Sequence, residues 1–243
     1  MLSQSSNHFL ASLPSATQKI LRPHLRPREL PHAAVIYNAG DMVNEVLFPY
    51  SGIVSFVVGM ENGQFVEAGM IGRNGVVGAG PALDGRHALN RAVVHAAGRA
   101  AAMDAEVLTQ LVRQNEGLRR SLADHEHMLF AHTQQIAACN AVHALEARMS
   151  RWLLQFRDLV RSDELPLTQE FMAQMLGVQR TSVTLVVGHL QQAGLIKTRR
   201  GSVTVINLEG LRDAACECYR TINTYFGTLV GWKPNSEGSA LSA

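Results

Sequence analysis

Between Leu118 and Val160 the chain contains neither glycine nor proline, the two residues that most disfavour a helix interior. Along it Leu118, Leu122, His125, Leu129, His132, Ile136, Cys139 and His143 alternate at spacings of four and three. That is a heptad seam ~25 residues long, and at ~1.5 Å per residue such a helix outruns what one small subunit can pack against it. The expectation is a dimerisation helix over 116–140 and a homodimer, with Leu118, Leu122, His125, Leu129, His132 and Ile136 on the seam. The histidines and Cys139 recur at intervals of about 10 Å, too far apart for one ion to be shared within a chain. They read as polar residues that set register and oligomer state, with a pH-sensitive seam as the alternative.

The flanks differ in kind. Residues 30 to 103 hold 11 of the 20 glycines and break into short apolar runs: AVIY, EVLFPY, IVSFVV, QFVEAGMI and RAVVHAA. Asn62-Gly63 between two of them signals a hairpin in which both turn residues take positive φ. Short strands at regular spacing predict an antiparallel β jelly roll in residues 1–115, closed by a helix that Asp104 caps. On the other side, Ser162 to Pro166 is a turn, and Leu167 to Asn207 reads as helix, turn, helix and a two-stranded element. The domain is expected over 141–232, with a disordered tail over 233–243. The fold class is α+β.

Composition narrows the function. With 47% hydrophobic and 17% charged residues the chain is globular, and no run of ~18 apolar residues suggests a membrane span. The first residues lack the features of a signal peptide, so the expected location is cytoplasmic, with no membrane partner. Cys139, Cys216 and Cys218 form neither a disulfide framework nor a CxxC motif; they read as small buried hydrophobes or inert thiols, and no metal site is expected. The net charge of +2 is unevenly spread: Arg148 to Arg212 carries nine Arg/Lys against five Asp/Glu, leaving the remainder slightly acidic. A basic carboxyl-terminal part suits a polyanion.

The segment beginning Leu167-Thr168-Gln169-Glu170 carries the most specific pattern. Thr168 is placed to cap a helix, Ala173 lies four residues before Gly177, and Val183 and Val186 follow at six and nine residues beyond it. A small residue lets two helices cross closely, and glycine supplies the positive φ of the turn. Met172, Leu176, Val178, Val183, Val186 and Leu190 would form the core. Gln179, Arg180, Thr181, Ser182 and Thr184 would then be the exposed reading edge of a second helix, with Arg180 able to give two hydrogen bonds to guanine. Thr168 and Gln169 would join them at the start of the first helix. Lys197, Arg199 and Arg200 lie on a following hairpin, placed to meet the phosphate backbone of double-stranded DNA.

LTQEFMAQMLGVQRTSVTLVVGHLQQAGLIKTRRGSVTV resembles the winged helix of the bacterial Crp/Fnr transcription regulators. HALEARMSRWLLQFRD (143–158) is similar to the helix that follows the hinge in that family. The resemblance implies a cyclic-nucleotide-binding-like jelly roll, a dimer on a two-fold symmetric operator, and RNA polymerase as a further partner. Arg180 matches the guanine-reading arginine of the family; Thr181 and Leu185 stand where some members keep a glutamate and a second basic reader.

The sensor half departs from the cyclic AMP pattern. Where that pattern has Gly-Glu and then Arg-Ser-Ala, the chain has Gly78-Ala79 and Asn90-Arg91-Ala92. The ribose acceptor is missing, and an arginine displaced by one residue on a strand faces the other way. Cyclic nucleotide is therefore not expected, and the effector is left unknown. Gly75, Gly78, Asn90, Arg91, Thr133 and Gln134 mark the candidate pocket, the two residues on the long helix by family position. No cysteine precedes Cys139, so the iron–sulfur cluster of the sensing branch is not expected either. Two other readings stay open: a regulator that needs no effector, and a metal-dependent cupin-type enzyme on the jelly roll. The latter is disfavoured because His87 and His95 are the only histidines between 33 and 103. No catalytic residues are assigned.

Overall fold

A computed structural model describes residues 7–85 and 87–234 of the chain. After two short helices, α1 (His8–Ser12) and α2 (Ser15–Leu21), it builds seven strands: β1 (Arg26–Leu30), β2 (Val35–Tyr37), β3 (Glu45–Pro49), β4 (Ile53–Gly59), β5 (Phe65–Ile71), β6 (Arg91–Ala96) and β7 (Gly98–Asp104). Helix α3 (Ala79–Asp84) interrupts them. They form two antiparallel sheets, ordered β1-β7-β3 and β2-β6-β4-β5. Leu47 and Met103 from one sheet and Val54, Ile71 and Val94 from the other are fully buried in one continuous core.

The five apolar runs are β2 to β6. Two further strands escaped the sequence pattern. Strand β1 (RPREL) has four exposed residues of five and pairs only with β7, and that edge position tolerates Pro27. Strand β7 (GRAAAMD) is central in its sheet but buries alanines, which carry little strand preference. The hairpin at Asn62-Gly63 forms with a different turn: only Gly63 takes positive φ (+81°). Met60 and Gln64 close a three-residue loop, and the Asn62 side-chain oxygen accepts from the Gln64 amide at 3.0 Å.

Asp104 caps α4 (Ala105–Gln114) by accepting from the Glu106 and Val107 amides. Asn115 caps α5 (Glu116–Val142), and α6 (Leu145–Val160) follows. The uninterrupted helical pattern is thus broken at His143, in extended backbone, and at Ala144, whose ψ of 151° is not helical. The expected seam turns inward, which corrects its assignment to a partner subunit. Leu118, Leu122, His125, His132 and Ile136 are buried, and Leu129 is half-buried, within this chain. The His125 Nε2 accepts from the Val76 amide at 3.0 Å, and His132 packs edge-on against Phe226. The jelly roll and α10 (Cys218–Val230) supply the apolar surface that a lone helix lacked. The opposite face of α5 exposes Ala123, His127, Phe130, Gln134, Ala137 and Ala141, which alternate at the same spacings of four and three.

The remaining elements are β8 (Glu164–Leu165), α7 (Gln169–Leu176), α8 (Arg180–Gln192), β9 (Ile196–Arg199), β10 (Ser202–Val205) and α9 (Leu208–Ala214). The wing has three strands rather than two, because Glu164 and Leu165 add to β10. Helix α6 is buried from Met149 to Leu159 and anchors the others. Two of its buried charged groups have close partners: Arg157 donates to Asp163 at 2.6 Å, and Asp158 accepts from the Tyr219 hydroxyl at 2.6 Å. Trp152 Nε1 donates to Glu67 Oε1 at 2.8 Å, tying α6 to β5. Of the expected tail, Lys233 and Pro234 are described, and 235–243 lies outside the described residues. Among the described residues no helix is long and apolar enough to cross a membrane.

Candidate nucleic-acid interface

Thr168 caps α7, its hydroxyl accepting from the Phe171 amide at 3.1 Å. Gly177 ends that helix at φ +66°, the left-handed conformation that a side chain disfavours. The Val178 amide then donates to the Ala173 carbonyl at 3.0 Å, closing the turn on a buried alanine. Met172, Leu176, Val183, Val186, Val187 and Leu190 are buried between α7 and α8, and Val178 is half-buried.

Helix α8 begins at Arg180 with no side-chain cap, so its leading N–H groups are not engaged by a capping side chain. Gln179, Arg180, Thr181 and Thr184 are exposed and Ser182 is half-buried. The Thr184 hydroxyl donates to Gln169 Oε1 at 2.8 Å and fixes the start of α7 against α8. Thr168, Gln169, Arg180, Arg199 and Arg200 line one groove of about 350 Å³ between the two helices and the wing. Gly201, at φ +79°, lets the wing tip turn back so that Arg199 and Ser202 pair. Lys197 is exposed farther down β9. Among the described residues the one acidic neighbour of Arg180 is weakly held: Glu170 lies 3.8 Å away with both side chains mostly in solvent.

A second cleft, of about 740 Å³, lies behind the first and joins the two halves of the molecule. Gly63 to Val66 of the β4–β5 hairpin form one wall, and Gly177, Gln179, Arg180 and Ser182 help to form the other. A Cβ on Gly177 would stand 3.2 Å from Val66. Below it, His95 Nδ1 meets the Ser55 hydroxyl at 2.7 Å, that hydroxyl donates to Glu67 at 2.6 Å, and the His95 ring abuts Phe171 of α7. Burial, with His32 nearby, lowers the pKa of His95 to about 4, so the ring is neutral at physiological pH. Burial likewise raises the Glu67 carboxyl above the usual range, against the bonds from Ser55 and Trp152.

A family model for the Crp-like helix-turn-helix domain matches residues 147–214, and one for the cyclic nucleotide-binding domain matches residues 27–115. Together they account for more than half of the chain. The chain belongs to the Crp/Fnr family of transcription regulators. It is a helix-turn-helix, DNA-binding regulator. Several solved structures share its fold. FixK2 from Bradyrhizobium japonicum superposes with a TM-score of 0.68 at 13% identity, covering 79% of this chain and 98% of that one. A CRP-family transcriptional regulator from Thermus thermophilus gives 0.64 at 22% identity over 77% and 96%. The c-di-GMP responsive global regulator CLP from Xanthomonas campestris gives 0.62 at 18% over 80% and 100%. A comparison with curated proteins finds no match.

In this Crp/Fnr chain the candidate pocket residues are held by separate neighbours. A Cβ on Gly75 would meet the His125 ring at 2.5 Å, and Gly78 takes φ +84° to start α3. Arg91 begins β6 and lies over the Phe65 ring at 5.0 Å, Asn90 precedes it half-buried, and Thr133 and Gln134 are exposed on α5. The glycines thus do structural work at this segment.

The cysteines depart from the sequence reading. They are buried as expected, but they are not separate: Cys139 and Cys216 sulfurs approach to 3.5 Å, and Cys218 Sγ lies 3.6 Å from His143 Nδ1. Cys139 also interacts with His143, four residues on. The available signal was Cys139 and His143 at i and i+4, followed by Cys216-Glu217-Cys218.

Proposed function

We propose that the protein works as a homodimer that reads a two-fold symmetric DNA site, with Arg180 contacting guanine and Lys197, Arg199 and Arg200 contacting phosphates. The observation that carries this reading is the single groove that gathers Thr168, Gln169, Arg180, Arg199 and Arg200 at the uncapped start of α8. The exposed stripe of α5 through Ala123, His127, Phe130, Gln134, Ala137 and Ala141 supports the dimer: it is a heptad face with a bare aromatic at its centre. The departures at Gly78-Ala79 and Asn90-Arg91 argue against cyclic AMP as the effector. CLP is c-di-GMP responsive, so the cyclic dinucleotide belongs in the same effector screen as cyclic AMP. RNA polymerase contact follows from family membership alone and stands as an expectation.

The test is selection of bound sequences from a random DNA pool, followed by anisotropy titrations on the recovered site. Arg180→Ala is expected to reduce binding to that site about tenfold to hundredfold and to relax preference at one base pair in each half-site. Unchanged preference in that variant would remove Arg180 from the reading edge.

A further inference from the structure

At the junction of α5 and α6, four side chains from two distant segments converge. Cys139 and His143 occupy the last turn of α5 and its cap, while Cys216 and Cys218 lead into α10. Their donor atoms, three sulfurs and one imidazole nitrogen, all lie within 4.8 Å of one another. Among the described residues this is the one group of three or more such side chains close enough to share an ion. We propose that Cys139, His143, Cys216 and Cys218 bind a single zinc-class divalent ion, which fastens α10 to the hinge between the long helix and the DNA-binding half.

The distances fit that chemistry. Tetrahedral zinc with Zn–S near 2.3 Å and Zn–N near 2.0–2.1 Å separates two sulfurs by about 3.8 Å and a sulfur from a nitrogen by about 3.6 Å. The chain has 3.5 Å between Cys139 and Cys216 and 3.6 Å between Cys218 and His143. Three cysteines and one histidine is a closed ligand set, the kind that holds structural zinc. Its atoms are too tightly gathered for the larger frame of an iron–sulfur cluster.

The surroundings are built for ligands and not for loose thiols. His143 turns Nδ1 toward the sulfurs, while its Nε2 lies 3.2 Å from Glu217 Oε1. A carboxylate on the far nitrogen fixes the tautomer and ring plane of a metal-bound histidine. Gln135 Nε2 donates to Cys218 Sγ at 3.1 Å, a bond that favours a thiolate. Three thiolates around a divalent ion leave one negative charge, and Arg148 and Arg151 are near enough to interact with Cys139 electrostatically. Without metal the sulfurs compete for charge: burial, reinforced by Cys139, raises the Cys216 thiol to about 12. Burial also raises Cys218, whereas Arg151, His143 and the other two thiols outweigh burial and lower Cys139. On binding, each thiol still protonated releases its proton to solvent as its sulfur bonds the metal, and no oxidant or reductant takes part.

The experiment measures metals in the full-length protein, purified under reducing conditions without chelator and again after zinc reconstitution. One zinc per chain is expected, with a lower unfolding temperature after the ion is stripped. Cobalt(II) added to the stripped protein should give the intense visible bands of a tetrahedral thiolate site. Cys216→Ser should abolish those bands; because that variant can fail to fold, Glu217→Gln on the exposed second partner provides an independent reading. It should keep the fold and weaken zinc binding about tenfold or more in competition with a chromophoric chelator. The proposal is overturned by protein that takes up neither zinc nor cobalt. It is equally overturned by iron with acid-labile sulfide at the site, or by a Cys139–Cys216 disulfide in place of metal.

Discussion

Residues 167–203 and residues 72–91 both fall in segments matched by family models, yet they treat their expected functional residues differently. In the first, five of the polar residues picked out for DNA line one groove. In the second, Gly75 makes room for His125, Gly78 starts a helix, and Arg91 lies on Phe65. A helix-turn-helix is specified by neighbours a few residues apart, so its chemistry travels with its local pattern. A ligand pocket in a β sandwich is specified by strands that meet from across the chain, so its chemistry does not travel with any one local pattern.

The dimer proposal supplies the largest effect with which to break this contrast. Phe130→Asp should place a charge at the centre of the exposed α5 stripe and yield monomers in sedimentation, with operator affinity falling by orders of magnitude. If the variant stays dimeric, the inward seam of α5 was not the only face misassigned. Gly177→Ala comes next, because it forces a side chain into left-handed backbone beside Val66. A loss of about 1–2 kcal/mol in chemical denaturation is expected.

Smaller effects sharpen the division of labour inside the groove. Arg199→Ala and Arg200→Ala should weaken binding to all sequences alike, each lowering the slope of log affinity against log salt by about one. A loss confined to one sequence would move them from backbone to base contacts. The smallest effect concerns acid. Burial, with Arg151 nearby, holds His132 down to about 3 from an ordinary 6.5, and His95 is held down to about 4. Below about pH 6.5 the unfolded chain takes up protons that these rings refuse, so stability present at neutral pH is lost as pH falls toward those values. Melting temperatures should drop between pH 7.5 and 5, and His132→Gln should shallow the drop.

The legible parts share a cause. Thr168, Ala173, Gly177 and Val183 lie within one local pattern, and the five apolar runs alternate plainly enough to be strands. Strand β7 was not legible because Ala100, Ala101 and Ala102 are buried by their position at the sheet centre and not by their own strand preference. The inward direction of His125 and His132 depends on Val76 and Phe226, which no helical period announces. The thiol cluster is split by 77 residues between Cys139 and Cys216, so only the return of α10 along α5 unites it.

The contact between Val66 and Gly177 has a thermodynamic consequence. The β4–β5 hairpin and the helix-turn-helix corner share one boundary, so a molecule that repositioned the hairpin would act on the same conformational equilibrium as the operator. Linkage is symmetric: whatever factor such a molecule adds to DNA affinity, the operator must add to affinity for that molecule. Screens run on the protein with its selected DNA already bound should therefore detect an activating effector at lower concentration than screens on the free chain.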